Sequence, residues 1–405
     1  MLIQHLSRQL RERETQALRR RRRIVETPCA PHLSVSSDGA DARPMLAFCS
    51  NDYLGLAHHP VLAAALAEGA LRWGAGSGAS HLISGHSRAH AALEEELADF
   101  LEPCIPRARA LSFCTGYMAN LALLAALGDA RATIFADKLN HASLVDGALL
   151  AKAPLRRYAH GRIDVLADRL ARCETPIKLI VTDAVFSMDG DLAPLPELLA
   201  LAERFDAWLV VDDAHGFGVL GEQGRGTLSH FGLRSERFIC MGTLGKAAGV
   251  AGAFVAADPT IIDWLVQAAR PYIYTTAAPP AMAHALRTSL QLIRGDEGAQ
   301  RRVRLATLIT LLRRRLGALI AATPQRGWTL AESATAIQPL IVGDNEAALA
   351  LSAALESRGL WVPAIRPPTV PVGSARLRIT LSASHTEDDV LRLGDALEHA
   401  AKGLA

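Results

Sequence analysis

Leu209-Val210-Val211-Asp212-Asp213-Ala214-His215 is an apolar run that stops in two carboxylates and a histidine. A run this short and this apolar is the pattern of a strand covered on both faces, and the polar residues mark its carboxyl end. Working outward from it, similar segments alternate with helical stretches from about residue 51 to about residue 257. They are Ala110 to Cys114, Thr133 to Ala136, Leu179 to Thr182, Trp208 to Asp212, Phe238 to Met241 and Ala253 to Ala256. Such alternation predicts an α/β fold in which a mostly parallel sheet carries helices on both faces. Ligands collect at the carboxyl ends of strands in sheets of this kind. Asp212, Lys246 and the loop holding Ser187 all fall at or just after such ends.

The texture changes past Pro279-Pro280. There a long helix carrying Arg301, Arg302 and Arg304 among apolar positions precedes strands near Ala336 to Val342 and Ala375 to Leu381. The expected organisation is an N-terminal helical and extended arm over 1–50, a large α/β domain over 51–280 and a smaller α+β domain over 281–405. In the arm, Leu2 or Ile3, Leu6, Leu10, Ala17 and Leu18 recur at near-helical spacing. That predicts an amphipathic helix from residue 2 to about 23, ending in the run Arg19 to Arg23, followed by a polar, proline-containing linker over 27–44.

With 405 residues the chain has room for two or three domains and a sizeable buried site. Lys plus Arg (43) nearly balances Asp plus Glu (41), so no global charge argues for nucleic acid. The six cysteines are scattered, with no Cys-x-x-Cys and no clustered histidines of zinc-site spacing, and a reducing cytoplasm is the expected compartment. Arg8, Arg11, Glu12, Arg13 and Glu14 interrupt any apolar core near the N-terminus, and the apolar run near Met118 to Leu127 is too short to span a membrane. The run Arg19 to Arg23 reads as a solvated face; the alternatives are one arginine turned toward an acidic substrate group, or a nucleic-acid contact.

The chemistry lies in a few residues. Lys246, in Thr243-Leu244-Gly245-Lys246, and Asp212 together read as a pyridoxal phosphate site. That cofactor needs an amine to hold its aldehyde as a Schiff base and a carboxylate to keep its pyridine nitrogen protonated. His215, from the same strand end as Asp212, is in reach of the cofactor's phenolic oxygen. Thr115-Gly116-Tyr117-Met118-Ala119-Asn120 joins a strand to an apolar helix, where free amide N–H groups would meet a phosphate, with the Thr243 hydroxyl as a second donor. His141 begins a helical stretch and reads either as a cap or core histidine or as a flat ring stacked on the pyridine. The Ser187 hydroxyl, in Val185-Phe186-Ser187-Met188-Asp189-Gly190, is a further candidate contact to the phenolic oxygen. Gly74-Ala75-Gly76-Ser77-Gly78-Ala79-Ser80-His81 lacks dinucleotide spacing and is expected as a mobile wall of the site. Arg376 and Arg378 share one face of a strand, either to grip a substrate carboxylate with one guanidinium or to face solvent.

These segments, together with Ser50-Asn51-Asp52-Tyr53-Leu54-Gly55, Asp212-Asp213-Ala214-His215-Gly216 and Arg376-Leu377-Arg378, resemble the α-oxoamine synthases. These are fold-type I pyridoxal phosphate enzymes that condense an amino acid with an acyl thioester and release carbon dioxide. The resemblance spans nearly the whole chain and implies a seven-stranded, mostly parallel sheet in the large domain. Gln338-Pro339-Leu340-Ile341-Val342-Gly343-Asp344-Asn345 and Ala364-Ile365-Arg366-Pro367-Pro368-Thr369-Val370-Pro371 are most similar to the biotin-pathway member, which joins L-alanine to a pimeloyl thioester of coenzyme A or an acyl carrier protein.

The resemblance assigns Lys246 as the Schiff-base lysine, Asp212 as partner of the pyridine nitrogen, and His215 and Ser187 as cofactor contacts. It further implies that His141 stacks on the ring, that Gly116, Tyr117 and Thr243 hold the phosphate region, and that Asn51 and Arg378 meet the amino-acid carboxylate. Thr369 would contact substrate, and Arg19, in a register open by a residue or two, would help bind the acyl group. It also implies a homodimer with Thr275 or Thr276 reaching the partner's cofactor phosphate. Ala79 departs from the glycine that family members often carry in the Gly-rich loop. The rivals are a family member using glycine or serine with another thioester, and a catalytically silent scaffold of the same fold.

Overall fold

The protein is described by a computed structural model over residues 1–16, 18–20, 22–36 and 41–403. The strands, in chain order, are β1 (Ile24–Val25), β2 (His32–Ser36) and β3 (Arg43–Ala47) in the arm. The large domain holds β4 (Arg109–Phe113), β5 (Ala132–Asp137), β6 (Leu155–Tyr158), β7 (Ile177–Asp183), β8 (Trp208–Asp212), β9 (Phe238–Thr243) and β10 (Ala253–Ala257). Toward the C-terminus come β11 (Thr329–Leu330), β12 (Ile337–Gly343), β13 (Leu360–Trp361), β14 (Ala364–Ile365) and β15 (Ala375–Thr380).

The central sheet has seven strands in the order β4-β10-β9-β8-β7-β5-β6. β10 runs antiparallel to both its neighbours, and the pairings from β9 through to β6 are parallel. Alternate side chains serve two different cores, which explains why the strands read as unbroken apolar runs. Leu209 and Val211 of β8 pack with Phe135, Ile180 and Phe254 on one face. Val210 packs with Ile134, Val181 and Ile239 on the other. Burying each such side chain stabilises the fold by about 1.5–3 kcal/mol. The six strands read from the sequence are present to within a residue or two, and β6, at one edge of the sheet, is the addition.

The arm departs from expectation. Its helix, Leu2–Thr15, is shorter than the spacing predicts and buries none of its residues. Arg19 and Arg23, four residues apart, would repel on one helix face, and burial within Leu2–Thr15 offers nothing to offset it. Ala17 and Arg21 of the expected helix lie outside the described residues. The expected linker over 27–44 contains β2 and the start of β3, which pair antiparallel, because Val35, Met45 and Leu46 supply buried apolar positions. β3 pairs in parallel with β13, so arm and C-terminal residues share one sheet. A separate sheet, β11-β12-β15-β14, stands beside the long helix Asp296–Ala322. Among the described residues no helix is long and apolar enough to cross a membrane.

The loop after β7 carries Ser187 and is held from two sides. His160 bonds Asp137 at 3.2 Å and Asp191 at 2.9 Å, and its ring meets Phe186 edge-on at 4.4 Å. From the C-terminal side, Ser333 Oγ and Thr335 Oγ1 donate to the Gly190 carbonyl at 2.9 and 3.1 Å. Gly190 has φ +75°, and a Cβ there would stand 2.5 Å from the Ile337 carbonyl oxygen, so only glycine fits this approach.

The bonds to Asp137 and Asp191 raise His160 to about 10. A group raised above its unfolded value of about 6.5 stabilises fully below that pH, and its contribution is lost as pH rises through about 10. His160→Gln is therefore expected to lower unfolding free energy by about 1–2 kcal/mol at pH 6, the ring's partial exposure being allowed for. In urea titrations the gap to wild type should close between pH 7 and 10; a gap constant with pH would remove the ion pairs as its cause.

Candidate active site

β7 and β8 lie in register with Asp183 opposite Asp212, which sets two buried carboxylates at the same sheet end. Asp212 accepts from Asn120 Nδ2 at 2.7 Å and from the Ala214 amide at 3.0 Å. Asp183 accepts the His141 backbone N–H at 2.6 Å. Burial and then the neighbouring Asp212 push the Asp183 carboxyl well above the usual carboxylate range, as two like charges in a dry site require.

Lys246 follows β9 in a turn closed by Leu244 N–H to the Gly252 carbonyl (2.8 Å) and Gly249 N–H to the Lys246 carbonyl (2.9 Å). Its Nζ lies 2.8 Å from His215 Nε2. Burial lowers the amine to about 8, although Asp212 and Asp183 pull the other way. Neutral amine, the form that attacks a carbonyl, is thus more abundant near neutrality than for an exposed lysine. His215 is pushed well below its ordinary value, first by burial and then by the charge of Lys246.

The far end of the cavity is the start of the helix Gly116–Leu127. Thr115 caps it by accepting the Met118 amide at 3.1 Å, which leaves the Gly116 and Tyr117 amides without an intrahelical acceptor. A Cβ on Gly116 would meet Thr243 Cγ2 at 3.2 Å, so the glycine keeps this end open. Of the readings of His141, the cap is what the fold shows. Its Nδ1 accepts the Ser143 amide at 3.2 Å and so caps a helix, while its ring remains exposed on the cavity wall, edge-on to Tyr117 at 6.3 Å.

Two adjoining cavities share Asn51, His141, His215 and Lys246 in their walls. The first, about 490 Å³, is bounded also by Asp212, Gly116, Tyr117 and Thr243. The second, about 690 Å³, is bounded by Ser187, Thr369 and Arg378. Arg378 is buried in β15, donating to the Ser187 carbonyl at 2.6 Å and to Asn51 Oδ1 at 3.3 Å, and Arg376 beside it is buried too, so the solvent-facing alternative for this strand does not hold. Arg19 lies apart from both cavities, paired with Glu14 at 2.9 Å. The Gly-rich loop borders neither; Ser77 Oγ binds the Ala278 carbonyl at 2.5 Å instead. Sequence reasoning gave no role to Asp183, Asn120, Ser143 or Tyr53. Asp183 ends an apolar run just as Asp212 does, and Asn120 lies one helical turn beyond Gly116, so both carried a usable signal.

An amine beside an acidic pair at one end of a cavity and an open helix start at the other fit pyridoxal phosphate. Lys246 would hold the aldehyde, Asp212 would face the ring nitrogen, and Gly116, Tyr117 and Thr243 would take the phosphate. In cofactor-free protein, amine-selective labelling of Lys246 is expected to rise with a midpoint near pH 8, the amine being protonated below it. A midpoint near that of an exposed lysine, or a signal retained in Lys246→Ala, would remove the assignment.

Residues 43–397 match the aminotransferase class I and II family. A curated relative from Polaromonas naphthalenivorans, named 8-amino-7-oxononanoate synthase, is 76% identical over 405 residues, covering 100% of this chain and 99% of its own length. Among solved structures, 8-amino-7-oxononanoate synthase from Francisella tularensis superposes with a TM-score of 0.73 at 31% identity, covering 88% of this chain and 98% of that one. A structure of SPT with a PLP internal aldimine superposes with a TM-score of 0.89 at 29% identity, covering 98% and 97%. The sheet order, the cavity at the strand ends and these likenesses agree: the chain belongs to the aminotransferase class I and II family and, within it, to the family of the 8-amino-7-oxononanoate synthases.

Proposed function

We propose that this chain catalyses the decarboxylative condensation of L-alanine with a pimeloyl thioester to 8-amino-7-oxononanoate, releasing carbon dioxide and the free thiol, with pyridoxal phosphate as cofactor. One observation carries the reading. Lys246, Asp212, His215 and Arg378 converge on adjoining cavities in a chain 76% identical to a protein named for that synthesis. The likeness to SPT extends over the fold at 29% identity and leaves the substrate to be decided by the nearer relatives.

When bound, pyridoxal phosphate supplies an aldehyde for covalent attachment of amines and a protonated ring that accepts electrons from Cα. The protein supplies the rest. Asp212, fixed by Asn120 and the Ala214 amide, would face the ring nitrogen. His141 would stack its exposed ring on the pyridine, and Ser187 and His215 would contact the phenolic oxygen. Arg378 and Asn51 hold the alanine carboxylate in place until it leaves as carbon dioxide. Lys246, once free, takes the Cα proton and later returns one to the same carbon. Thr369 borders the space for the acyl chain, whose carrier is coenzyme A or an acyl carrier protein. Arg19 would have to exchange its pairing with Glu14 to meet the acyl group.

The reading includes a cytoplasmic homodimer in biotin synthesis, with the division into arm, large domain and smaller domain described above. Thr275 and Thr276 border neither cavity of their own chain, which suits a role toward a partner's cofactor phosphate.

Incubation of the purified protein with L-alanine and pimeloyl thioester is expected to yield 8-amino-7-oxononanoate by mass analysis. Product only with glycine or serine would move the protein to another member of the family. Lys246→Ala should reduce turnover by at least ~10²–10⁴-fold, the contribution of a placed general base; near-normal turnover would exclude that role. Arg378→Ala should chiefly raise KM for alanine, by about tenfold or more for a lost bidentate grip, and unchanged alanine kinetics would refute the carboxylate assignment.

A further inference from the structure

An unbroken chain of hydrogen bonds links the Lys246 amine to Arg378. Lys246 Nζ lies 2.8 Å from His215 Nε2, and His215 Nδ1 lies 2.6 Å from the Tyr53 hydroxyl. The Tyr53 hydroxyl lies 3.1 Å from Asn51 Oδ1, which also accepts from Arg378 NH2 at 3.3 Å. Tyr53 is 1% exposed and His215 8%, so water does not substitute for a missing partner.

Counting hydrogens assigns the whole chain. Arg378 only donates, so the atom facing it on Asn51 is the carbonyl oxygen, which has no hydrogen. The Tyr53–Asn51 contact therefore uses the single phenolic hydrogen. Arg378, which also bonds the Tyr53 hydroxyl, can only donate to it; with its one hydrogen on Asn51, the Tyr53 oxygen accepts from His215 as well, which places the imidazole proton on Nδ1. A neutral imidazole so protonated has a bare Nε2, and the contact with Lys246 takes its hydrogen from the amine.

We infer that Tyr53 is a positioning residue that holds His215 protonated at Nδ1, so that Nε2 takes one N–H of the Lys246 amine and leaves the amine's lone pair free for the cavity. In the opposite tautomer, Nε2–H would bind that lone pair and the amine would no longer serve as a base. For its catalytic consequence the inference rests on the function proposed above; for its geometry it does not. Asp52, the neighbour of Tyr53 in sequence, is turned the other way, accepting the Leu56 and Ala57 amides. The charged and titratable groups facing Lys246 and His215 are Asp212 and Asp183 at the ends of β8 and β7, His141, and Arg378 from β15. None of them supplies an acceptor to His215 Nδ1. Burial of the imidazole keeps it neutral, which the hydrogen count requires.

The test uses cofactor-free, full-length protein. Nitrogen-15 NMR of the His215 ring in wild type is expected to show Nδ1 protonated and Nε2 bare; the reverse would overturn the inference without any variant. In Tyr53→Phe, which keeps the ring and removes the oxygen, the proton is expected to move to Nε2. The labelling midpoint of Lys246 should then fall by roughly 0.5–1 pH unit, because a donor at Nε2 favours the neutral amine. Loaded with cofactor, the same variant should lose about tenfold in kcat, with KM for alanine within about threefold, as expected when one hydrogen bond is misdirected. Unchanged protonation together with an unchanged midpoint would overturn it. These readouts need no turnover, so failure of wild type to make product would count against the proposed reaction and not against the tautomer.

Discussion

Two carboxylates buried side by side at the ends of β7 and β8 form the constraint around which the site is organised. Neither Asp183 nor Asp212 can be left bare in a dry environment, because a buried charge without partners costs several kcal/mol. The structure answers with Asn120 and the Ala214 amide on Asp212, and with the His141 amide on Asp183. Those partners come from the helix after β4 and the turns after β8 and β5, so satisfying the acids also fixes the helix start, His141 and His215. Lys246 enters the same neighbourhood as a cation that has lost much of its hydration. Its lowered proton affinity is the balance between that loss and the pull of the acids.

The other half of the site depends on guanidinium groups buried in the smaller domain. Arg378 and Arg376 lie on one face of β15, both almost inaccessible to water. Arg378 finds its acceptors on Ser187 and Asn51, and Arg376 finds its own on the Met188 carbonyl at 3.1 Å and Asp189 at 2.5 Å. The loop after β7 is thereby drawn onto β15, with His160 holding it from the side of the large domain. Three stretches far apart in the chain, near 51, 187 and 378, meet at the Arg378 guanidinium, which donates to the Ser187 carbonyl and Asn51 Oδ1.

Legibility followed the physics of each element. Strands buried on both faces announced themselves as short apolar runs, and β4, β5, β7, β8, β9 and β10 were readable from them. β6 was not, because Leu155-Arg156-Arg157-Tyr158 is an edge strand with two exposed arginines and no apolar run. The two-residue strands β11, β13 and β14 are too short to carry any period. In the arm, apolar spacing suggests a longer helix than forms, since spacing records a possible packed face and none of the residues of Leu2–Thr15 is buried. The tie of the Gly-rich loop to Ala278 and the pairing of Arg19 with Glu14 leave no mark in the residue pattern. Tyr53 and Asn120 sat inside quoted motifs without a role, because their partners are distant in sequence.

The sequence by itself determined the α/β class and the cofactor, and it pointed to Lys246 and Asp212 at strand ends as the pair that would hold it. These follow from local features: apolar runs, their polar ends and a lysine in a glycine turn. Only the tertiary structure decided that Asp183 stands beside Asp212, that both arginines of β15 are buried, and that Lys246, His215, Tyr53, Asn51 and Arg378 form one hydrogen-bonded chain. The physical reason is that pairing of buried polar groups is set by distance in space. A chain that brings residues 51, 215, 246 and 378 within hydrogen-bond reach leaves no trace of it in their spacing along the sequence.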